Sequence, residues 1–213
     1  MDGPMFAIKR ANPYYRAQWK EDEEKGFVFR QREDEIRKLR SQFPSMDVEE
    51  QGQWVAELAK VYDYETSPAL RFDSITALGK STHPDVDAVL VRACSDESTK
   101  VRIAACKSLA GRQSITASQM LATVAQSDKD TSVRSAALRS LGTFQTDDAK
   151  SILRKSLDEK SPAIQFAATE ALKAMIGKDL GGDVDTWRQF LDGEPIEEAP
   201  ANMVERIGSV IGI

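Results

Sequence analysis

Apolar and small residues return along the middle of the chain in one fixed pattern. In "KVRIAACKSLA" at 100–110 they occupy Val101, Ala104, Ala105, Cys106 and Leu109; in "SVRSAALRSLG" at 132–142 they occupy Val133, Ala136, Ala137, Leu138 and Leu141. Offsets of three, four, five and eight from the first residue trace one stripe of a 3.6-residue helix, not the two-residue alternation of a strand. "SPALRFDSITALG" from Ser67 and "SPAIQFAATEALK" from Ser161 follow the same offsets. The anchoring positions Leu70, Val101, Val133 and Ile164 therefore stand 31, 32 and 31 residues apart. Ser at the N-cap and Pro at the first helical position predict where the helices of the outer two copies begin.

Between the copies runs a second, weaker helical pattern. Val86, Val89, Leu90 and Ala93 carry it after Pro84, then Leu121, Val124 and Ala125, then Ala149, Ile152 and Leu153. Each of these helices is expected to end at an Asp in a short polar turn: Asp96, Asp128 and Asp158. The unit is a pair of antiparallel helices. One such pair cannot bury its apolar face alone, so the pairs must stack into an array.

The pattern D-x-x-x-x-V-R-x-x-A-A-x-x-L-G, seen in "DESTKVRIAACKSLAG" and "DKDTSVRSAALRSLG", resembles the short bacterial HEAT repeat, the kind also found in phycobilin lyases. That resemblance implies an all-α fold: a right-handed α-solenoid of about four helix pairs over residues 47–176. The first unit departs from the pattern with Asp73 and Ser74 in place of Ala-Ala, and the fourth has Gln165 in place of Arg. Both are terminal units, where atypical residues suit a cap.

The ends of the chain read differently. Ten of the fifteen aromatic residues lie within the first 64 positions. Residues 1–46 are read as an aromatic-rich N-terminal arm and helix, with Phe29, Ile36, Leu39 and Phe43 on one helical face. It either covers the open end of the first repeat or offers Tyr14, Tyr15 and Trp19 to a partner. Residues 177–193, "GKDLGGDVDTWRQFLDG" after the last repeat, are read as a C-terminal capping helix carrying Trp187, Phe190 and Leu191. Residues 194–213 form a linker and short amphipathic tail with Met203, Ile207, Val210 and Ile211 at helical spacing. The tail either folds back on the array or docks elsewhere, including on a second copy as a homo-oligomer contact through residues 203–211.

Composition narrows the function classes. A net charge of −5 and a pI near 5.1 argue against a nucleic-acid binder that works by bulk electrostatics. No stretch approaches the roughly 20 apolar residues that span a bilayer, so no membrane span is expected. The start, "MDGPMFAIKRANPYYR", lacks the parts of a secretory signal. The default expectation is a cytoplasmic protein, with the mature domain of a bacterial envelope protein as the alternative. Two cysteines, Cys94 and Cys106, are too few for a disulfide framework or a zinc site, and they read as buried small residues.

Chemistry is sparse. "LGKST" at 78–82 ends like a phosphate-binding loop but has Ser74 where the first Gly belongs, and it closes a helix instead of opening one. His83 is the only histidine, which excludes multi-histidine metal sites. No catalytic residue, metal or cofactor is expected. Among relatives of the resemblance, bilin lyases offer the enzyme-class alternative, a chromophore carrier.

Two residue sets remain. Arg71, Arg102 and Arg134 recur just inside the second helix of each unit, close in sequence to Asp63, Asp96 and Asp128. The resemblance implies a structural ladder of arginines bonded to turn carbonyls and carboxylates. Six positions beyond each anchor stand Thr76, Lys107, Arg139 and Glu170, with Lys100 and Arg112 flanking the second unit. If the second helices line the concave side, its centre is basic. The function expected is a non-catalytic scaffold or adaptor for a protein or peptide, acidic in character, bound through this face, the aromatic arm, or both. A structural building block assembled through the tail is the alternative.

Overall fold

The computed structural model describes residues 27–195, and within them the protein is helical throughout. The helices are α1 (Phe27–Gln42), α2 (Val48–Tyr64), α3 (Pro68–Leu78), α4 (Val86–Ala93) and α5 (Thr99–Leu109). They continue as α6 (Ile115–Ser127), α7 (Thr131–Leu141), α8 (Asp147–Ser156), α9 (Pro162–Ile176) and α10 (Val184–Asp192). A single 3₁₀ turn, Phe43–Ser45, joins α1 to α2.

Local chemistry sets most of the boundaries. Asp47, Ser114, Asp130, Thr146 and Asp183 each accept a hydrogen bond from a backbone N–H in the first turn of their helix, which satisfies a donor that has no partner inside the helix. Helices α3 and α9 start at Pro68 and Pro162 as the Ser-Pro pairs predict, but the Ser67 and Ser161 side chains make no capping bond. Proline has no N–H, so that end of the helix has one fewer donor to satisfy. Gly177 ends α9 with φ of 75°, a left-handed conformation that glycine adopts without cost.

The helices form two layers of an α-solenoid. The layer built from the repeated copies stacks α3, α5, α7 and α9 side by side in close contact, while the helices of the other layer (α2, α4, α6 and α8) touch one another far less. Small residues allow the close approach. A Cβ built on Gly142 would fall 2.7 Å from the carbonyl oxygen and 2.8 Å from the Cα of Ala171, so α7 and α9 meet backbone to backbone. Gly79 meets Ser108 of α5 in the equivalent place, with Ser108 Cβ 2.7 Å from the built atom. One continuous apolar core runs from Ile36 to Trp187 and includes every anchor: Leu70, Val101, Val133 and Ile164.

Both ends are half-units. Helix α1 packs on α3 within the close layer, as the repeat helix of a preceding unit would. Its Arg32, Ile36 and Leu39 follow the spacing of Arg71, Ile75 and Leu78, with both apolar residues of each set buried. The repeat was hidden there because 39 residues, not 31, separate the two arginines, the excess lying largely in the 17-residue α2. At the far end α10 packs against α9 and buries Trp187 completely, with the indole N–H donating to the Gly181 carbonyl at 2.9 Å.

Candidate functional site: a paired arginine edge and an unpaired cationic face

Two rows of cations run across the close layer, and their surroundings differ. Along one edge, Arg71 donates from Nε and Nη2 to the two carboxylate oxygens of Asp96 at 2.9 and 3.0 Å. Its Nη1 donates to the Glu65 and Thr66 carbonyls at 3.2 and 3.0 Å. Arg102 repeats the arrangement one unit later, with Asp128 at 2.8 and 3.1 Å and the Asp96 and Glu97 carbonyls at 2.9 and 3.2 Å. Each arginine thus holds the carbonyls of its own turn and the carboxylate of the next. The aspartates also order their turns, as Asp96 and Asp128 accept from the N–H groups of Ser98 and Asp130 at 2.8 Å.

The row is longer than the three arginines expected. Glu65, Asp96, Asp128 and Glu159 lie six residues before Arg71, Arg102, Arg134 and Gln165 respectively. Arg32 of α1 donates to Glu65 at 3.4 Å, and Arg134 donates to Glu159 and, at 2.7 Å, to the Ala125 carbonyl. Gln165 keeps only a bond to the Leu157 carbonyl, at 3.2 Å. There α10 supplies the missing cation: Arg188 bonds to the same carbonyl and to Asp158. Asp63 stands outside the row, in an exposed pair with Arg92 at 3.1 Å. It sits in the last turn of α2, two residues short of the turn position that Glu65 fills. A constant six-residue offset to an acidic residue was the signal in the sequence; the last Asp before each copy was the wrong cue in the first unit.

Burial makes these pairs consequential. The side chains of Arg102 and Asp128 are 5% and 9% exposed, so removing one partner leaves a charge in a poorly solvated place. Burial alone would raise the Asp96 carboxyl, but hydrogen bonds from Arg71, the Ser98 N–H and the Tyr62 hydroxyl outweigh it and hold the group below the usual carboxylate range. The bond to Asp96 in turn raises Arg71. Tyr62, buried and facing that carboxylate, is pushed up to about 12.

Lys107 and Arg139 are exposed and take part in no ion pair among the described residues. They occupy equivalent places on α5 and α7, two helices that carry no carboxylate at all. Lys100, in the first turn of α5, is exposed on the same face. Arg112 belongs elsewhere. Its guanidinium bonds to Asp87 and to the Ser81 and His83 carbonyls, at 2.6 and 2.8 Å for the carbonyls, tying the loop after α3 to the end of α5. The sequence pattern could not show this, because the partners lie on a loop about 30 residues back. Gln51 holds the same loop from its other side, accepting from Ser81 and the Thr82 N–H.

The remaining candidates carry no reactive arrangement. His83 packs over Gly52, with Nε2 2.9 Å from where a Cβ would stand. Cys94 and Cys106 are buried, and the neighbouring Cys94 thiol together with burial pushes the Cys106 thiol up, away from the reactive thiolate. Among the described residues no group of His, Cys, Asp and Glu could hold a metal ion, and no helix is long and apolar enough to cross a membrane. Tyr14, Tyr15, Trp19 and the 203–211 stripe lie outside the described residues.

Stacked helical pairs with a shared core and half-units at both ends define the class, an α-solenoid repeat protein. The chain belongs to the HEAT-repeat family: a family model for HEAT repeats matches residues 55–141 and again 118–186. HEAT repeats commonly mediate protein–protein interaction or scaffolding and are generally non-catalytic. A search of curated proteins found no match.

Proposed function

We propose that the protein is a non-catalytic adaptor that binds an acidic protein partner through the exposed face of α3, α5, α7 and α9. One observation carries this reading: Lys107 and Arg139 stand exposed, and unpaired among the described residues, on carboxylate-free helices of a chain whose net charge is −5. Lys100 is exposed beside them, whereas Arg71, Arg102 and Arg134 hold turns and Arg112 holds a loop. Helices packed more closely in one layer than in the other favour bending of the stack toward the closer layer, which supports reading this face as the concave one. A curved surface built in advance binds without ordering much chain, and its positive centre steers an acidic partner.

The test is affinity capture from native cells with the wild-type chain and with Lys107→Glu/Arg139→Glu. Proteins retained by the wild type should be lost by the variant while both unfold at the same temperature. An identical set of captured proteins would overturn the reading.

A further inference from the structure

The same face carries apolar side chains that the cation pattern alone does not explain. Two residues beyond each anchor stand Phe72 on α3, Ile103 on α5, Ser135 on α7 and Phe166 on α9. Phe166 is 55% exposed and Phe72 36%, among the few large apolar side chains left open to solvent, and Ile103 is half-buried. Positions two and six beyond the anchor differ by four residues, so they lie on one side of a helix, one turn apart. On the exposed face the row six beyond the anchors reads Thr76, Lys107, Arg139 and Glu170, and the row two beyond reads Phe72, Ile103, Ser135 and Phe166. Two central cations are thus flanked, one helical turn away, by a phenylalanine on each outer helix, with exposed Glu170 beside Phe166. Neither phenylalanine has an aromatic or cationic partner among the described residues.

We infer that this face reads an extended acidic segment of about ten residues with an apolar residue at each end. The inference rests on the concave-face reading and adds the partner's chemistry and spacing. Helices packed through small residues sit about 8–10 Å apart, and an extended chain advances about 3.3 Å per residue. One helix interval therefore spans about three residues, and α3 to α9 spans about nine. Two carboxylates three residues apart meet Lys107 and Arg139, and apolar side chains three residues outside them meet Phe72 and Phe166. Acidic residues supply complementarity to cations that have no ion-pair partner among the described residues. The apolar ends cover the aromatic rings, which otherwise remain in water. A basic or uniformly polar segment satisfies neither requirement.

The experiment is fluorescence anisotropy with the full chain and labelled ten-residue peptides of Ser and Gly. The parent peptide has Leu at both ends and Glu at its fourth and seventh positions. Three controls place the two Glu residues side by side, replace both Leu with Ser, or replace both Glu with Lys. The parent should bind best. Lys107→Glu/Arg139→Glu should weaken it about tenfold or more, as loss of two favourable charge contacts implies, and added salt should weaken it further. Phe72→Ser/Phe166→Ser should weaken the parent and leave the Leu-free peptide unchanged.

If all acidic peptides bind alike and lose affinity together on charge reversal, the spacing inference fails while the basic face stands. If charge reversal changes nothing, both fail. No binding by any peptide overturns the inference, as does tighter binding of a ten-nucleotide single strand lost in the same charge-reversal variant. Unchanged melting temperatures for these surface variants separate lost binding from lost folding.

Discussion

Arg102 and Lys107 lie five residues apart on α5, and the structure puts their charges to opposite use. Arg102 is buried, with two contacts to Asp128 and two to turn carbonyls of its own unit. Lys107 is exposed and has no ion pair among the described residues. The same contrast holds on α7 between Arg134 and Arg139. What separates construction from recognition is whether a cation's partner comes with the fold. Arg71, Arg102 and Arg134 each meet the acid of the next turn, so the partner repeats with the arginine. Among the four repeats the outward cation appears only in the two central ones, and no described residue forms an ion pair with it.

Breaking the paired side of this contrast should have the largest effect. Arg102→Ala leaves Asp128 buried without its cation and frees two turn carbonyls, at a cost of about 3–5 kcal/mol. Thermal unfolding should fall by roughly 10 °C for a domain of this size. Gly142→Ala tests the spacing that both rows share. Its new methyl would meet the Ala171 backbone, not a flexible side chain, and the overpacking should cost about 1–3 kcal/mol. Chemical denaturation should show a lower midpoint with a nearly unchanged slope.

Smaller effects belong to the first unit, where the edge runs out of regularity. Asp73 occupies an alanine position and is buried against α1. Burial raises its carboxyl; Arg37 at 3.7 Å works against that, and Glu33 reinforces it. A raised folded-state value means the fold binds this proton more tightly than the unfolded chain does. Asp73 therefore adds stability as pH falls from neutral through its raised value. Asp96 has the opposite sign. Its lowered value gives stability that is complete above about pH 4, the ordinary carboxylate value, and is lost as pH falls further. Melting temperature should thus rise slightly on mild acidification and then drop. Asp73→Asn should stabilise the chain modestly at neutral pH, by removing a buried carboxylate whose charge burial disfavours, and remove the rise while leaving the drop.

Much of this architecture is legible in the sequence, and the reasons are local. Val101, Ala104, Ala105 and Leu109 form a stripe because a helix repeats every 3.6 residues, so four copies of that stripe disclose the array. Arg71, Arg102 and Arg134 stand out by their fixed place in each copy. Long-range partners are another matter. Arg134 meets Glu159, a residue outside the expected ladder, and Glu65 takes the place expected of Asp63 in the first unit, because the turn selects a position and either acidic residue can fill it. Arg112 reads as a surface cation until Ser81, His83 and Asp87 are seen folded around it. Phe72 and Phe166 lie off the repeated stripe, and only the stacking shows them open to solvent among the described residues.

The buried cation builds the array, while the exposed one leaves it untouched. Thermal unfolding of Arg102→Ala beside Lys107→Ala, under identical conditions, tests this on a single helix. Arg102→Ala should unfold roughly 10 °C lower, set by loss of a buried pair. Lys107→Ala should change stability by less than about 0.5 kcal/mol, as for an exposed surface residue. Equal shifts in the two variants, or a larger one for Lys107→Ala, would contradict this.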